Sequence, residues 1–212
     1  DDAVGALTEK LDQLGIAGET LFIFYSDNGE ASPRARSLRG HKGHLYEGGI
    51  RVPLIVRWPG MVPAGSETDA LVHAADFYPT LLDAAGLPAR TEQHADGVSF
   101  LPVWKNPGTG GRESIAWHYP HWFRPHLERG FFEPAGALRE GRWKLLEFFE
   151  DGRAELYDLG ADPGETTDLA GEHPERVQRM RDELVKWRKE TGAQMPTPKP
   201  EIVPGNVLTD FT

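Results

Sequence analysis

The sequence predicts an α/β protein: the end of a doubly wound mixed or parallel sheet, then a small antiparallel sheet with a C-terminal helix. Three observations predict it. An amphipathic helix leads into a continuously apolar strand, Leu21 to Tyr25, as expected of a strand buried on both faces of a parallel sheet. Further along, short strand-like segments are joined by tight turns such as Asp151-Gly152, the pattern of antiparallel hairpins. A long amphipathic segment then opens at Pro174 and stops at Gly192, where proline and glycine favour a helix start and a helix stop.

Each element has a local reason. Val4, Leu7, Leu11 and Leu14 recur at helical spacing and are stopped by Gly15, with Asp1 or Asp2 available as a cap. Ile50 to Trp58 reads as a second strand, closed by Pro59-Gly60. Asp76 to Gly86 reads as a helix with Pro79 in its first turn and Gly86 past its end. Pro102, Pro107, Gly108, Gly110 and Gly111 mark a boundary between Leu101 and Arg112. The expected division is therefore 1–108, the end of an α/β core, and 109–212, a separate subdomain. Strands are expected at Ser114 to Tyr119, Gly136 to Arg139, Trp143 to Phe149 and Glu155 to Asp158. The Pro-rich last stretch is expected to run over the surface.

Composition narrows the classes of function. Against 33 acidic residues stand 23 Lys and Arg, a net charge of −10, which argues against nucleic-acid binding by bulk charge. No apolar run has the length of a membrane span, and Asp1-Asp2 does not open a signal peptide. The absence of cysteine removes disulfides, thiolate metal sites and a Cys nucleophile within these residues. The chain also lacks an initiator Met, so it is read as processed or as missing upstream sequence.

The chemistry concentrates between Thr20 and Pro59. The first strand runs into Ser26-Asp27-Asn28-Gly29. Asp27 offers a carboxylate and Asn28 an amide oxygen, hard ligands for Ca²⁺ or Mg²⁺. They stand at the C-terminal end of a strand, where open α/β sheets bind ligands. The same triplet is also an ordinary turn sequence. A basic loop follows, with Arg34, Arg36, Arg39, Lys42 and Arg51 opposed only by Glu47, and with His41 and His44 between them. A local cationic patch on an acidic chain suits an anion; the plain alternative is a solvated loop. Downstream, Trp117-His118-Tyr119-Pro120-His121-Trp122, with Arg124 and His126, forms an aromatic and cationic cluster. It suits either the wall of a saccharide cleft or packing between two subdomains. His73 reads as a satisfied core histidine.

Ser26-Asp27-Asn28-Gly29 and Leu38-Arg39-Gly40-His41-Lys42-Gly43-His44-Leu45-Tyr46-Glu47-Gly48-Gly49-Ile50-Arg51-Val52-Pro53 together resemble the C-terminal half of the formylglycine-dependent, arylsulfatase-like sulfatases of the alkaline phosphatase superfamily. Asp76-Phe77-Tyr78-Pro79-Thr80-Leu81-Leu82, Asp96-Gly97-Val98-Ser99-Phe100-Leu101, Gly136 to Leu145 and Glu155 to Thr166 extend the similarity over essentially the whole chain. Each piece alone is unspecific; the ordered set is specific.

The resemblance implies that Asp27 and Asn28 are two ligands of a Ca²⁺ site. It implies that Lys42 grips the sulfate oxygens and stabilises charge in the transition state. Arg39, His44, His118, His121 and Arg124 are further candidate substrate contacts. The family's nucleophile, a formylglycine made from Cys or Ser in a Cys/Ser-x-Pro-x-Arg motif, is not here. Ala31-Ser32-Pro33-Arg34-Ala35 has Ala at both the nucleophile and the Arg positions. The chain is therefore expected to be inactive alone and to need the N-terminal half of the same protein. The expected activity of the whole is sulfate-ester hydrolysis on a sulfated saccharide or small molecule, with no nucleic-acid or membrane partner. Family resemblance implies a periplasmic, secreted or lysosomal location. Two alternatives stand beside it: a phosphate or phosphonate ester hydrolase of the same superfamily, and a non-catalytic module that binds sulfated glycans through the basic loop.

Overall fold

The computed structural model describes residues 1–30, 38–121 and 133–197. In chain order it contains α1 (Asp2–Gln13), β1 (Phe22–Tyr25), α2 (Glu47–Ile50), β2 (Leu54–Arg57), α3 (Phe77–Ala84), α4 (Leu101–Lys105), β3 (Ser114–Tyr119), β4 (Ala135–Glu140), β5 (Trp143–Phe148), β6 (Ala154–Asp158) and α5 (Pro174–Thr191).

The first sheet is the pair β1-β2, and it is antiparallel, with Phe22 opposite Arg57 and Tyr25 opposite Leu54. Alternation splits its residues between two faces. Leu21, Ile23, Leu54, Val56 and Trp58 pack on a cluster of Phe100, Leu101, Val103 and Trp104. On the other side Phe24 is 42% and Ile55 is 62% exposed, so the strand expected to be buried on both faces is covered on one. The second strand is also shorter than its sequence pattern. Ile50 belongs to α2, and strand pairing begins at Leu54, because Gly48 and Gly49 are drawn against the preceding loop.

The proline-bearing segment that opens the predicted boundary is itself part of this core. Leu101, Val103 and Trp104 of α4 are buried, and the irregular stretch starts only after Lys105. Asp76 ties the region together. Its carboxylate accepts from the N–H groups of His73 and Val98 (both 2.8 Å) and from Arg112 Nε (2.8 and 2.9 Å). Burial pushes the Asp76 carboxyl up, but the Arg112 bonds and the two N–H donors outweigh it and hold it below its ordinary value. Thr80 Oγ1 donates to the Asp76 carbonyl (2.6 Å) and accepts from the Phe100 N–H (3.0 Å). His73 caps this turn through Nδ1, which accepts from the Ala75 N–H.

The second sheet is the meander β3-β4-β5-β6, antiparallel throughout. Its pleat makes two faces. Leu138, Leu145 and Leu156 pack against Met180 and Leu184 of α5. Ala135, Ala137, Leu146, Phe148 and Tyr157 form the opposite face, against which Leu45 and Tyr46 of the basic loop pack. The helix ends as its sequence requires, with Gly192 in the left-handed region at φ 64°.

Candidate active site

β1 ends at Tyr25, and the chain turns immediately through Ser26 to Gly29. Ser26 Oγ donates to the Asn28 carbonyl at 3.1 Å. Asp27 is exposed and Asn28 half-buried, and both line an open cleft of about 530 Å³ together with Ser26, Glu30, Arg51 and Pro53. Burial, and then the negative charge of Asp27, raise the pKa of the neighbouring Tyr25 hydroxyl.

The basic loop is brought back beside this turn by backbone bonds. The Gly29 N–H donates to Gly49 O (2.9 Å), the Lys42 N–H to Glu30 O (2.9 Å) and the Gly48 N–H to Arg39 O (2.7 Å). The approach is close enough to require glycine. A Cβ on Gly48 would sit 2.4 Å from Gly40 O, and one on Gly49 would sit 2.1 Å from His44 O. Thus the Gly-Gly pair serves backbone packing, and the Lys42 backbone is bonded to Glu30, two positions after Asn28. The Lys42 side chain is exposed and is not among the described residues that line the cleft.

The other candidate residues differ in where they sit. His44 is half-buried, and its Nδ1 lies 3.3 Å from the His41 N–H and 3.2 Å from the His41 carbonyl, the tautomer deciding which bond forms. Its ring meets the His41 ring edge to face at 4.4 Å. Burial, helped by His41 and Arg39, lowers its pKa despite its hydrogen bond to the His41 backbone. Arg39 faces the second sheet. It stacks 4.0 Å over the Tyr46 ring and donates to Tyr157 Oη (2.6 Å) and to the Glu165 carbonyl (3.2 Å). His118 lies on β3, with Nε2 2.8 Å from the Gln194 carbonyl and its ring 5.3 Å from that of Phe149. This is the packing alternative rather than a place beside Lys42. His121 is exposed and meets the Tyr119 ring edge to face. Arg124, together with His126, Arg34 and Arg36, lies outside the described residues.

Sequence reasoning missed a buried ionic cluster behind the loop. The Lys144 ammonium, fully buried, lies 3.0 Å from Glu47 Oε1 and 2.8 Å from Glu165 Oε1, and Arg139 is 3.5 Å from Glu47 Oε2. The Glu47 N–H also donates to Glu165 Oε2 at 2.7 Å. Burial pushes the Glu165 carboxyl up against the opposing pull of Lys144. Strand register was the signal that could have found it, since Arg139, Lys144 and Tyr157 stand opposite one another across β4, β5 and β6.

The donor set at the cleft suits a hard cation, with one carboxylate and one amide oxygen. Among the described residues no group of three His, Cys, Asp or Glu side chains could hold a metal, so any ion here needs ligands beyond this pair. No described helix is long and apolar enough to cross a membrane.

A turn carrying a carboxylate and an amide oxygen, fastened to a glycine-packed cationic loop and backed by a four-stranded sheet, is the arrangement in a chain whose relatives are sulfatases. The family model for N-sulphoglucosamine sulphohydrolase, C-terminal, matches residues 40–190, and the chain belongs to that family. It is 37% identical to a sulfatase of Formosa agariphila over 82% of its length and 34% of that protein's. It is 34% identical to human arylsulfatase A, over 85% of this chain and 40% of that one. An N-acetylglucosamine-6-O-sulfatase of Bacteroides thetaiotaomicron is 30% identical over 92% of the chain and 34% of its own length. Among solved structures, a complex with its substrate D-glucosamine-2-N,6-O-disulfate superposes with a TM-score of 0.73 at 26% identity, covering 94% of this chain and 40% of that one. The chain therefore spans between about a third and two fifths of the length of these relatives.

Proposed function

We propose that this chain supplies one wall of a sulfate-ester hydrolase acting on a sulfated saccharide, and that the rest of the active site comes from the N-terminal half of the same protein. The carrying observation is the hydrogen-bonded apposition of the Asp27-Asn28 turn and the Lys42 loop at an open cleft. Relatives named as sulfatases, one of them as an N-acetylglucosamine-6-O-sulfatase, support the chemistry. Asp27 and Asn28 would hold Ca²⁺, which when bound polarises the ester's sulfuryl oxygens. Lys42 binds a sulfate oxygen and gains interaction energy as charge moves to the leaving group, which is the only part of its binding that speeds the chemical step. The nucleophile, by family resemblance a formylglycine, belongs to the other half, and these residues alone turn over nothing.

The full-length protein assayed on a panel of sulfated mono- and oligosaccharides tests this. Turnover that falls by about a hundred- to a thousandfold in Lys42→Ala and becomes limited by added Ca²⁺ in Asp27→Ala supports the proposal. No turnover of any sulfated saccharide overturns it, and preferential cleavage of phosphate esters moves the protein to the related hydrolase class.

A further inference from the structure

We propose that the C-terminal sheet acts as a positioning clamp for the Lys42 loop, with Lys144 and Glu165 as positioning residues that work through Glu47. The inference rests on the reading of Lys42 given above.

Two contacts fasten the loop, one on each side of Lys42. At the loop's start, Arg39 lies over the Tyr46 ring and donates to Tyr157 Oη. The Tyr46 and Tyr157 hydroxyls both donate to Glu155 Oε2, at 2.6 and 2.7 Å, and Arg39 is 3.5 Å from the same oxygen. At the loop's end, Glu47 is held by side chain and by backbone: its carboxylate by Lys144 and Arg139, its N–H by Glu165. Two carboxylates and two cations balance in charge. Such a cluster has a discrete geometry, because moving one member leaves another buried and unpaired. Glu165 is the one non-glycine residue at positive φ among the described residues, at 53°. The turn after β6 thus holds an unfavourable backbone conformation where the Glu165 carboxylate reaches both Lys144 and the Glu47 N–H.

A scaffold does not need buried charge for stability; apolar residues of similar volume usually serve as well. Charge that fixes the two ends of a loop bearing the proposed sulfate-binding lysine instead sets that lysine's position. Positioning errors of about an ångström are costly to a reaction that depends on preorganised charge.

The test uses the full-length protein. In Lys144→Met, hydrogen exchange at the amides of residues 42, 48 and 49 is expected to speed up about tenfold or more, while β4, β5 and α5 keep their protection. Per folded molecule, kcat on the sulfated saccharide that the wild-type protein turns over is expected to fall by about ten- to a hundredfold, and Lys144→Arg to recover part of it. Tyr46→Phe, which keeps the ring under Arg39 and removes only the bond to Glu155, gives a smaller change in the same direction if Lys144→Met fails to fold. Arg142→Ala, which breaks the exposed pair with Asp158, leaves both readouts unchanged. Loop amides that stay protected, or exchange that rises equally in every segment, overturns the clamp. A wild-type protein with no sulfate-ester turnover overturns the functional reading instead, and the exchange measurement still decides whether the clamp exists.

Discussion

The two sheets of this protein differ in how completely they are satisfied by their own chain. In the four-stranded sheet every strand pairs with its sequence neighbour, and both faces are covered, one by α5 and one by the basic loop. Leu145, Leu156, Met180 and Leu184 are fully buried. In the β1-β2 pair, one face rests on Phe100 and Trp104 while the other presents Phe24 and Ile55 to solvent. The Asp27-Asn28 turn follows the half-covered pair, while Lys144, Arg139 and Tyr157, which contact the basic loop and Glu47, belong to the fully covered sheet. A sheet built from local hairpins closes on itself, whereas a piece of a larger sheet keeps an apolar face for strands or helices brought from elsewhere in sequence.

Three measurements bear on that contrast, in descending order of expected effect. Leu184→Ala removes side-chain volume from the completed core and should cost about 2–5 kcal/mol in a denaturant titration. A loss below about 1 kcal/mol would mean that Leu184 is not part of a tightly packed core. Ile55→Ser should be nearly silent in the 212-residue chain, within about 0.5 kcal/mol. In the full-length protein it should be clearly destabilising, because the proposed N-terminal half covers that face. Equal effects in the two settings would show that the open face stays open.

The smallest expected effect concerns pH. Burial lowers the His44 pKa in the folded protein, so the fold favours the neutral ring. Its contribution is fully present above the unfolded value near pH ~6.5 and is lost as pH falls through the lower folded value. Stability against acid should therefore decline below about pH 6.5, and His44→Gln should flatten that part of the curve. A His44→Gln profile with the same slope would place the titration on another group, with His73, also lowered by burial, the next to replace.

Much of this was legible without coordinates. β3 matches its expected span residue for residue, β4 to β6 differ by a residue or two at their ends, and α5 starts at Pro174 and stops at Gly192 as read. These elements are set by local rules: alternation, turn residues and helix punctuation. The Asp27-Asn28 turn and the Lys42 loop were also legible, since each is a short chemical pattern. Less legible was the antiparallel pairing of β1 and β2, because a continuous apolar run fits either partner direction. The start of the second strand was misplaced because Gly48-Gly49 looks like loop flexibility and is in fact tight packing. The charge of Arg39 and the aromatic surroundings of His118 are visible in a sequence, while their hydrogen-bond partners, Tyr157 and Gln194, lie 118 and 76 residues away and are not.

The amino-acid order alone determined the helices, the hairpins and which residues are chemically able to hold a cation or a sulfate, because those properties depend on neighbours a few positions apart. Only the folded arrangement decided that Lys144, Glu47 and Glu165 share one buried cluster and that the Gly29 turn is bonded to Gly49. Contacts between distant segments depend on strand register and close backbone approach, and both are outcomes of packing the whole chain at once.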